Sequence, residues 1–233
     1  MALFVVTIDG PAASGKSTVA RRLASRIGAT FLDTGAMYRA VTFAAMQDGV
    51  DLKDESQLVG VIDRHAFQFE PGEDTMRVFV DGQDVTDRIR SPELTANVRC
   101  IASSPPMRAR LVEMQRQFAR RCGRVVTEGR DQGTVAFPDA DVKFYLVADV
   151  RQRARRRQLD WAAQGIEADL DELCRAIESR DRSDASRAVG PLQPAPDAIR
   201  VDTTRLTVEE VVQCLLGPIR ERQDPAASGK STG

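Results

Sequence analysis

The chain has 233 residues, of which 42% are hydrophobic and 29% charged, and this composition excludes a disordered or fibrous protein. Lysine and arginine number 33 against 34 acidic residues, and the resulting net charge of −1 argues against a sequence-independent nucleic-acid binder. Four scattered cysteines without a C-x-x-C pair fit reduced thiols in a cytoplasm, and the single histidine argues against His-rich metal sites and histidine-dependent nucleophiles. We expect neither a membrane span nor a signal peptide, because no apolar run approaches ~18 residues and the start lacks a basic region.

The N-terminal third predicts a strand and a helix, twice in succession. Residues 3–8 form a β-branched apolar run typical of a buried strand in a parallel sheet. A helix follows, with Val19, Leu23 and Ile27 at helical spacing. Residues 31–35 predict a second strand with its exit loop, and residues 36–47 a second helix.

Three later apolar stretches, 125–131, 142–147 and 198–202, are separated by helical patterns. Strands that alternate with helices predict an α/β fold, with a mainly parallel sheet flanked on both faces by helices.

One region interrupts this alternation. Residues 65–85 alternate apolar and polar positions around two turn signals, PGED and DG, and predict a small antiparallel β insert. Ser91 is a candidate N-cap for a helix that begins in SPELTANV, at 91–98. A long helix is expected over 106–121, and a further helix carries five arginines within 151–157.

The C-terminal PAASGKST at 225–232 repeats the segment 11–18 without one change. The first copy lies between a predicted strand and a predicted helix, whereas the second follows a polar helix end. We therefore expect residues 224–233 to be a disordered tail.

Residues 10–17 match the phosphate-binding pattern G-x-x-x-x-G-K-[ST] in the required strand–loop–helix setting. Glycines at 10 and 15 let successive backbone N–H groups approach a polyphosphate, and the following helix directs its positive end at the same anion. Lys16 suits the β- and γ-phosphates, and the hydroxyl of Ser17 suits Mg²⁺. The expected nucleotide-binding set is Gly10, Pro11, Ala12, Ala13, Ser14, Gly15, Lys16, Ser17 and Thr18, with a plain Gly-rich turn as the alternative.

The phosphate loop alone does not identify the molecule that accepts the phosphoryl group. A GTPase would need an N-K-x-D sequence, but the sole asparagine, Asn97, is followed by valine. Asp33 and Glu128 each end an apolar strand, and either carboxylate could join the magnesium shell, directly or through water.

Five segments point to one family: TIDGPAASGKST, LDTGAMYR, VDGQDVTDRIRSPELTANV, GRDQGTVAFPDADVKFYL and RDRSDASRAVGPL. Together they resemble bacterial cytidylate kinases over about residues 3–216. The resemblance implies transfer of the γ-phosphate of ATP to CMP or dCMP with Mg²⁺. The sequence departs from the family pattern at Thr34, where serine is frequent, and at Gln132 in GRDQG, where a hydrophobic residue is usual. Glu128 is the acid that precedes GRDQG.

The resemblance also implies an acceptor site and a lid. The implied substrate-binding residues are Thr34, Tyr38, Arg39, Arg108, Arg130, Asp131, Arg180, Asp184 and Arg187. Three of these arginines (Arg39, Arg108 and Arg130) suit the acceptor phosphate, and the Arg180–Asp184–Arg187 set suits cytosine and sugar. The implied catalytic residues are Lys16, Arg130, Arg153 and Arg157, the last two being lid arginines that stabilise charge on the transferring phosphoryl group.

The residues alone allow plainer interpretations of these arginines. Arg39 and Arg108 fit ordinary surface arginines, and Arg180 with Asp184 fits an i,i+4 ion pair on a solvated helix. The 151–157 block fits a solvated basic helix balanced by acidic residues between 167 and 172.

The expected organisation is one P-loop kinase domain over 1–223. Its core spans 1–34, 99–147 and 186–223, its monophosphate-binding region with the β insert spans 35–98, and its lid spans about 148–185. We expect a cytoplasmic monomer whose partners are small nucleotides, with no nucleic acid and no membrane. A kinase for UMP or shikimate, an ATP-binding regulator and a nucleic-acid-binding ATPase are the alternatives.

Overall fold

The structure is a computed structural model that describes residues 3–72, 75–163 and 165–223. The expected tail at 224–233 lies outside the described residues. The strands are β1 (Phe4–Asp9), β2 (Thr30–Asp33), β3 (Phe67–Glu70), β4 (Arg77–Val80), β5 (Gln83–Asp84), β6 (Arg124–Gly129), β7 (Val142–Val147) and β8 (Ile199–Asp202). The α-helices are α1 (Lys16–Arg26), α2 (Thr34–Gln47), α3 (Glu55–Arg64), α4 (Pro92–Ser103), α5 (Pro105–Cys122), α6 (Val150–Ala162), α7 (Leu170–Ala185) and α8 (Val208–Gln223).

The strands form two sheets. The larger has the order β2-β6-β1-β7-β8, and the smaller has the order β3-β4-β5. β7 pairs in parallel with both β1 and β8, whereas β4 pairs antiparallel with both β3 and β5. The predicted α/β fold, with a parallel sheet, flanking helices and a small antiparallel insert, is confirmed. None of the helices in the described ranges is long and apolar enough to cross a membrane.

The described chain divides into two compact units. The first comprises Leu3 with residues 30–125, and the second comprises residues 4–29 and 126–223. The monophosphate-binding region expected at 35–98 lies within the first unit, and the expected lid at about 148–185 lies within the second.

The second unit is built on β1 and β7. All residues of β1 after Phe4 are buried, as expected for an apolar strand covered on both faces. Val6 is paired with Val142 and Ile8 with Phe144, so the two predicted apolar runs lie side by side. Helices α1 and α8 pack against each other in the same unit.

A buried carboxylate joins the end of β1 to the turn after β6. Asp9 is 3% exposed and accepts the backbone N–H groups of Gln132 and Gly133 at 2.9 and 2.8 Å. These residues open a single π-helical turn, Gln132–Ala136. The side chain of Gln132 accepts a hydrogen bond from the Thr127 hydroxyl at 2.9 Å, which explains how a polar residue is accommodated there. Burial raises the pKa of Asp9 to about 6, although the two N–H groups oppose this effect.

In the first unit, the boundary between β2 and α2 differs from the prediction. Asp33 caps the helix by accepting the N–H of Ala36 at 2.9 Å, so α2 begins at Thr34 rather than at residue 36. The N-cap predicted at Ser91 is confirmed, because its hydroxyl accepts the N–H of Leu94 at 3.2 Å. Helix α3 was not predicted, because its short apolar pattern contains only two buried positions, Leu58 and Val61.

The DG signal forms the turn between β4 and β5. Asp81 and Gly82 have φ angles of 51° and 77°, and the flanking residues Val80 and Gln83 are paired. Positive φ at both central residues is the hairpin geometry that matches the twist of the strands, and Asp with Gly adopts it at low cost.

His65 ties this turn to the end of α2. Its ring nitrogens lie 2.6 Å from Asp81 and 3.0 Å from Asp48, which suits an imidazolium that donates to two carboxylates. Hydrogen bonding to Asp81 is the main reason that the pKa of His65 is raised above 6.5. The pKa values of Asp48 and Asp81 are lowered, chiefly by Arg64 and by the Ala66 N–H respectively and next by His65.

We expect this bridge to stabilise the fold most strongly between about pH 5 and 6.5. The contribution of His65 is present below its unfolded-state pKa and is lost as pH rises through the raised folded-state value, whereas the carboxylates lose theirs only in acid. His65→Gln should therefore lower the melting temperature more at pH 5.5 than at pH 9. Asp63→Asn, which removes the exposed Arg110–Asp63 pair without involving histidine, is the control. An equal loss for His65→Gln at both pH values would contradict the bridge.

Candidate active site

The loop between β1 and α1 has the backbone shape of an anion cradle. Ala13 and Gly15 have φ angles of 58° and 86°, and Gly15 immediately precedes α1. Alternating left-handed residues turn successive N–H groups toward one point, where the helix dipole also favours negative charge. Gly10 cannot be replaced, because a Cβ there would lie 2.2 Å from the carbonyl oxygen of Leu146. The alternative of a plain Gly-rich turn does not account for this geometry.

Lys16 crosses the loop that precedes it. Its Nζ donates to the carbonyl oxygen of Pro11 at 2.7 Å and to the hydroxyl of Ser14 at 3.3 Å, and the residue is 5% exposed. Burial, followed by the positive charge of Arg130, lowers the pKa of Lys16 to about 7. The Lys16 amine is therefore held where a bound anion would favour its protonated, charged form.

The side chains of Ser17 and Glu128 together fit a metal ion. The hydroxyl of Ser17 donates to Oε1 of Glu128 at 2.9 Å, although the two are far apart in sequence. A hydroxyl and a carboxylate provide the hard oxygen ligands that Mg²⁺ prefers. Asp33, the other carboxylate considered from the sequence, caps α2 and lies 3.5 Å from Arg39, both in the first unit. The pair Ser17–Glu128 thus fits magnesium, whereas Asp33 serves the helix.

Asp184 holds two of the predicted arginines. It is 3% exposed, accepts from Arg130 Nε at 2.7 Å, and forms a second ion pair with Arg187. The solvated i,i+4 pair with Arg180 is therefore wrong for Asp184, while Arg180 itself is exposed. The charge of Asp184 is a main reason that the pKa of Arg130 stays raised despite its burial. Asp131, beside Arg130, is also buried.

The arginines of α6 do not form a uniformly solvated face. Arg151 and Arg155 are exposed, but Arg153 is buried and donates to the carbonyl oxygens of Ala148 and Ala12. Arg156 donates to Ser14 O at 3.3 Å and to Thr203, and Arg157 lies over the ring of Trp161 at 5.6 Å. The helix predicted at 151–157 is thus bonded to the phosphate loop, and the interpretation as a solvated basic helix is wrong for Arg153.

The other predicted site residues belong to the first unit. Arg108 is 3% exposed, donates to Ala102 O at 3.2 Å, and lies 5.8 Å from the ring centre of Tyr38, so it is not a surface arginine. Thr34 is buried at the start of α2, and Arg39 is half-buried one turn further along. The first unit therefore brings a hydroxyl, an aromatic ring and two arginines to α2 and α5.

Sequence reasoning missed three residues that organise this region: Asp9, Arg156 and Asp181. Asp9 fixes the turn after Arg130, whereas Arg156 and Asp181 bond the phosphate loop. Asp9 stands directly before the loop motif, and this position could have marked it as a residue of the site. Their partners in the phosphate loop, Ser14 for Arg156 and Ala12 for Asp181, are more than 140 residues away, and no local pattern marks them.

A phosphate cradle with a buried lysine across it, next to a hydroxyl–carboxylate pair and paired arginines, defines a P-loop phosphotransferase. The family model described as cytidylate kinase matches residues 6–221. The chain therefore belongs to the cytidylate kinase family.

Two curated relatives have the same extent. The protein named cytidylate kinase of Limosilactobacillus reuteri is 46% identical over 223 residues, covering 95% of this chain and 97% of its own. That of Limosilactobacillus fermentum is 48% identical over 217 residues, with coverages of 93% and 95%. A solved structure of an uncharacterised protein from Eubacterium ventriosum aligns with a TM-score of 0.51 at 11% identity, covering 94% of this chain and 99% of that one, and shows similarity of fold alone.

We expect nucleotide binding to take up protons through Lys16. A bound polyphosphate favours the charged ammonium, so the affinity for Mg²⁺-ADP should fall by roughly tenfold between pH 6.5 and 8.5 as free Lys16 loses its proton. Calorimetry in buffers of different ionisation enthalpy measures the uptake directly. Lys16→Met, which lacks the titrating group, is the control, and the same proton uptake in both proteins would contradict this role.

Proposed function

We propose that the chain transfers the γ-phosphoryl group of ATP to CMP or dCMP, giving ADP and CDP or dCDP. The observation that carries this proposal is the buried Asp184, which gathers Arg130 and Arg187 in the same unit as the phosphate loop. A simple ATPase needs no second set of arginines, whereas a nucleoside monophosphate brings a second dianionic phosphate. Membership of the cytidylate kinase family supports the choice of acceptor.

The donor is assigned to the phosphate loop. The proposed ATP-binding residues are Gly10–Thr18, whose N–H groups and Lys16 suit the β- and γ-phosphates. Ser17 and Glu128 would hold Mg²⁺, which would neutralise part of the negative charge of the phosphates. The hydrogen bond between the two side chains, at 2.9 Å, supports this pairing of ligands.

The acceptor is assigned to the residues that the family resemblance implies. Arg39, Arg108 and Arg130 are proposed to bind its phosphate, because guanidinium groups match phosphate oxygens in pairs. Cytosine offers an amino donor and a carbonyl acceptor, which suit a carboxylate and an arginine. The proposed base and sugar contacts are Thr34, Tyr38, Asp131, Arg180, Asp184 and Arg187.

Charge stabilisation and alignment account for the proposed chemistry. The acceptor phosphate is already ionised at neutral pH, so no general base is required. Lys16, Arg130, Arg153 and Arg157 are proposed to stabilise negative charge on the transferring group, which spreads over its equatorial oxygens in the transition state. Residues of about 148–185 are proposed to act as a lid over the core, excluding water so that ATP hydrolysis without acceptor is slow. We propose that the enzyme is a monomer with no nucleic-acid or membrane partner.

An acceptor panel tests the proposed substrate. ADP release is measured by a coupled assay with CMP, dCMP, UMP, AMP and shikimate, and we expect the highest kcat/KM with CMP or dCMP. Lys16→Ala should lose roughly a hundredfold or more, as expected for one preorganised charge. Highest turnover with a non-cytidine acceptor would refute the substrate, and turnover that does not depend on acceptor would favour an ATPase.

A second test concerns the arrangement of arginines around Asp184. Asp184→Asn leaves Arg130 and Arg187 without their shared carboxylate, so KM for CMP should rise about tenfold or more while KM for ATP changes little. Steady-state kinetics with each substrate varied in turn give both constants. Asp171→Asn, which removes an exposed ion pair with Arg151, is the matched control. An equal rise in both KM values for Asp184→Asn would indicate a general loss of structure instead.

A further inference from the structure

One carboxylate of α7 contacts both the phosphate loop and the proposed lid arginine. Asp181 Oδ1 accepts the backbone N–H of Ala12 at 2.9 Å, and its Oδ2 accepts from Arg153 Nη1 at 2.5 Å. The same Nη1 donates to the carbonyl oxygen of Ala12 at 2.9 Å. The ion pair Asp181–Arg153 therefore holds the N–H and C=O groups of one residue of the phosphate loop.

The remaining donors of Arg153 show what this arrangement achieves. Its Nε donates to Ala148 O at 3.0 Å, so Nε and Nη1 are fully used by Ala148, Ala12 and Asp181. A guanidinium has five N–H donors, which leaves the two on Nη2. Within the described ranges, no residue accepts from Nη2. Arg153 thus has a fixed orientation in which one nitrogen remains for an anion.

This ion pair differs from the surface pairs of the same two helices. The side chains of Arg153 and Asp181 are 9% and 18% exposed, whereas those of Arg151 and Asp171 are 57% and 61% exposed. Exposed pairs contribute little energy and little rigidity, but a buried pair with additional hydrogen bonds has a defined geometry.

Packing supports the same attachment. Ala154, Leu173 and Ile177 form a buried cluster between α6 and α7, and Ala13 of the phosphate loop packs against it. Because Ala13 follows Ala12 directly, polar and apolar contacts fix the same segment of the loop. A rotation of the Arg153 side chain would have to break its bonds to Ala148, to Ala12 and to Asp181 of α7.

We infer that Asp181 is a positioning residue for phosphoryl transfer, which holds Arg153 against Ala12 so that its free Nη2 is directed to the transferring phosphate. This inference rests on the proposed function, since it gives Arg153 its role in the reaction. Asp181 itself forms no bond to substrate and acts through Arg153 and the phosphate loop.

Asp181→Asn separates the two contacts of Asp181. Asparagine keeps an oxygen to accept the N–H of Ala12 but places an NH₂ group where Arg153 needs an acceptor. We expect kcat to fall by about tenfold to a hundredfold, as small misplacements of a catalytic group do, while KM for the acceptor changes less than about twofold. Asp171→Asn should keep the kcat of the wild type. The assay uses the best acceptor of the panel above, and melting curves accompany each variant.

A double-mutant cycle shows whether Asp181 acts through Arg153. In an Arg153→Gln background, Asp181→Asn should cause no further loss of kcat. If the kcat losses of the two single variants multiply in the double variant, the inference is overturned. A wild-type kcat in Asp181→Asn would overturn it as well. A drop in kcat matched by an equal rise in both KM values and a collapse of the melting transition would also overturn it, since this would indicate a structural role only. If the best acceptor is not a cytidine nucleotide, the proposed substrate fails while the cycle still tests Asp181; if no acceptor is phosphorylated, both fail.

Discussion

Crowding of positive charge around the phosphate loop is the constraint on which the second unit depends. Binding a polyphosphate requires several cations close together, yet each one repels the others until the anion arrives. The effect is visible at Lys16, whose pKa is lowered to about 7 by burial and then by Arg130. Carboxylates relieve this repulsion: Asp184 lies against Arg130 and Arg187, and Asp181 against Arg153. The site is therefore an ordered set of ion pairs in which each acid fixes the direction of an arginine.

The same carboxylates connect segments that are distant in the sequence. Asp9 ends the first strand and holds the turn that follows Arg130, while Asp181 ties α7 to the loop that follows Asp9. Because Asp9 is buried with two N–H donors, loss of its charge would loosen the turn and move Arg130 with it. The phosphate loop is thus fixed from several sides, by β1, by α6 and by α7. Such support explains how a segment with Ala13 at positive φ keeps one conformation.

Local features of this protein could be predicted from the sequence, and long-range ones could not. The phosphate loop was found because its glycines and lysine are neighbours, and β7 was found at its observed bounds because a fully buried strand is a continuous apolar run. The sequence VRQRARRR could not be divided into exposed Arg151 and buried Arg153, because burial depends on Asp181, 28 residues later. Similarly, Arg130 was singled out by its place after a strand, but its partner Asp184 lies 54 residues away. The proposed roles of Thr34, Tyr38 and Arg108 came from the resemblance, since the sequence alone also fits Arg108 as a surface arginine.

The near-neutral charge of the whole chain follows from how these cations are used. Arg130, Arg153 and Arg187 are turned inward and paired with carboxylates, whereas exposed pairs such as Arg26–Glu209 and Arg120–Glu113 balance charge at the surface. A net charge of −1 presents no overall attraction to a polyanion, although Lys16 and Arg130 bring positive charge to the phosphate loop. Because a field in saline solution extends only about 8–10 Å, that loop acts on a ligand that has already entered it. In the proposed site, selection among anions therefore falls to the geometry of the paired arginines, and changing the carboxylates that orient them should alter specificity more than changing the total charge.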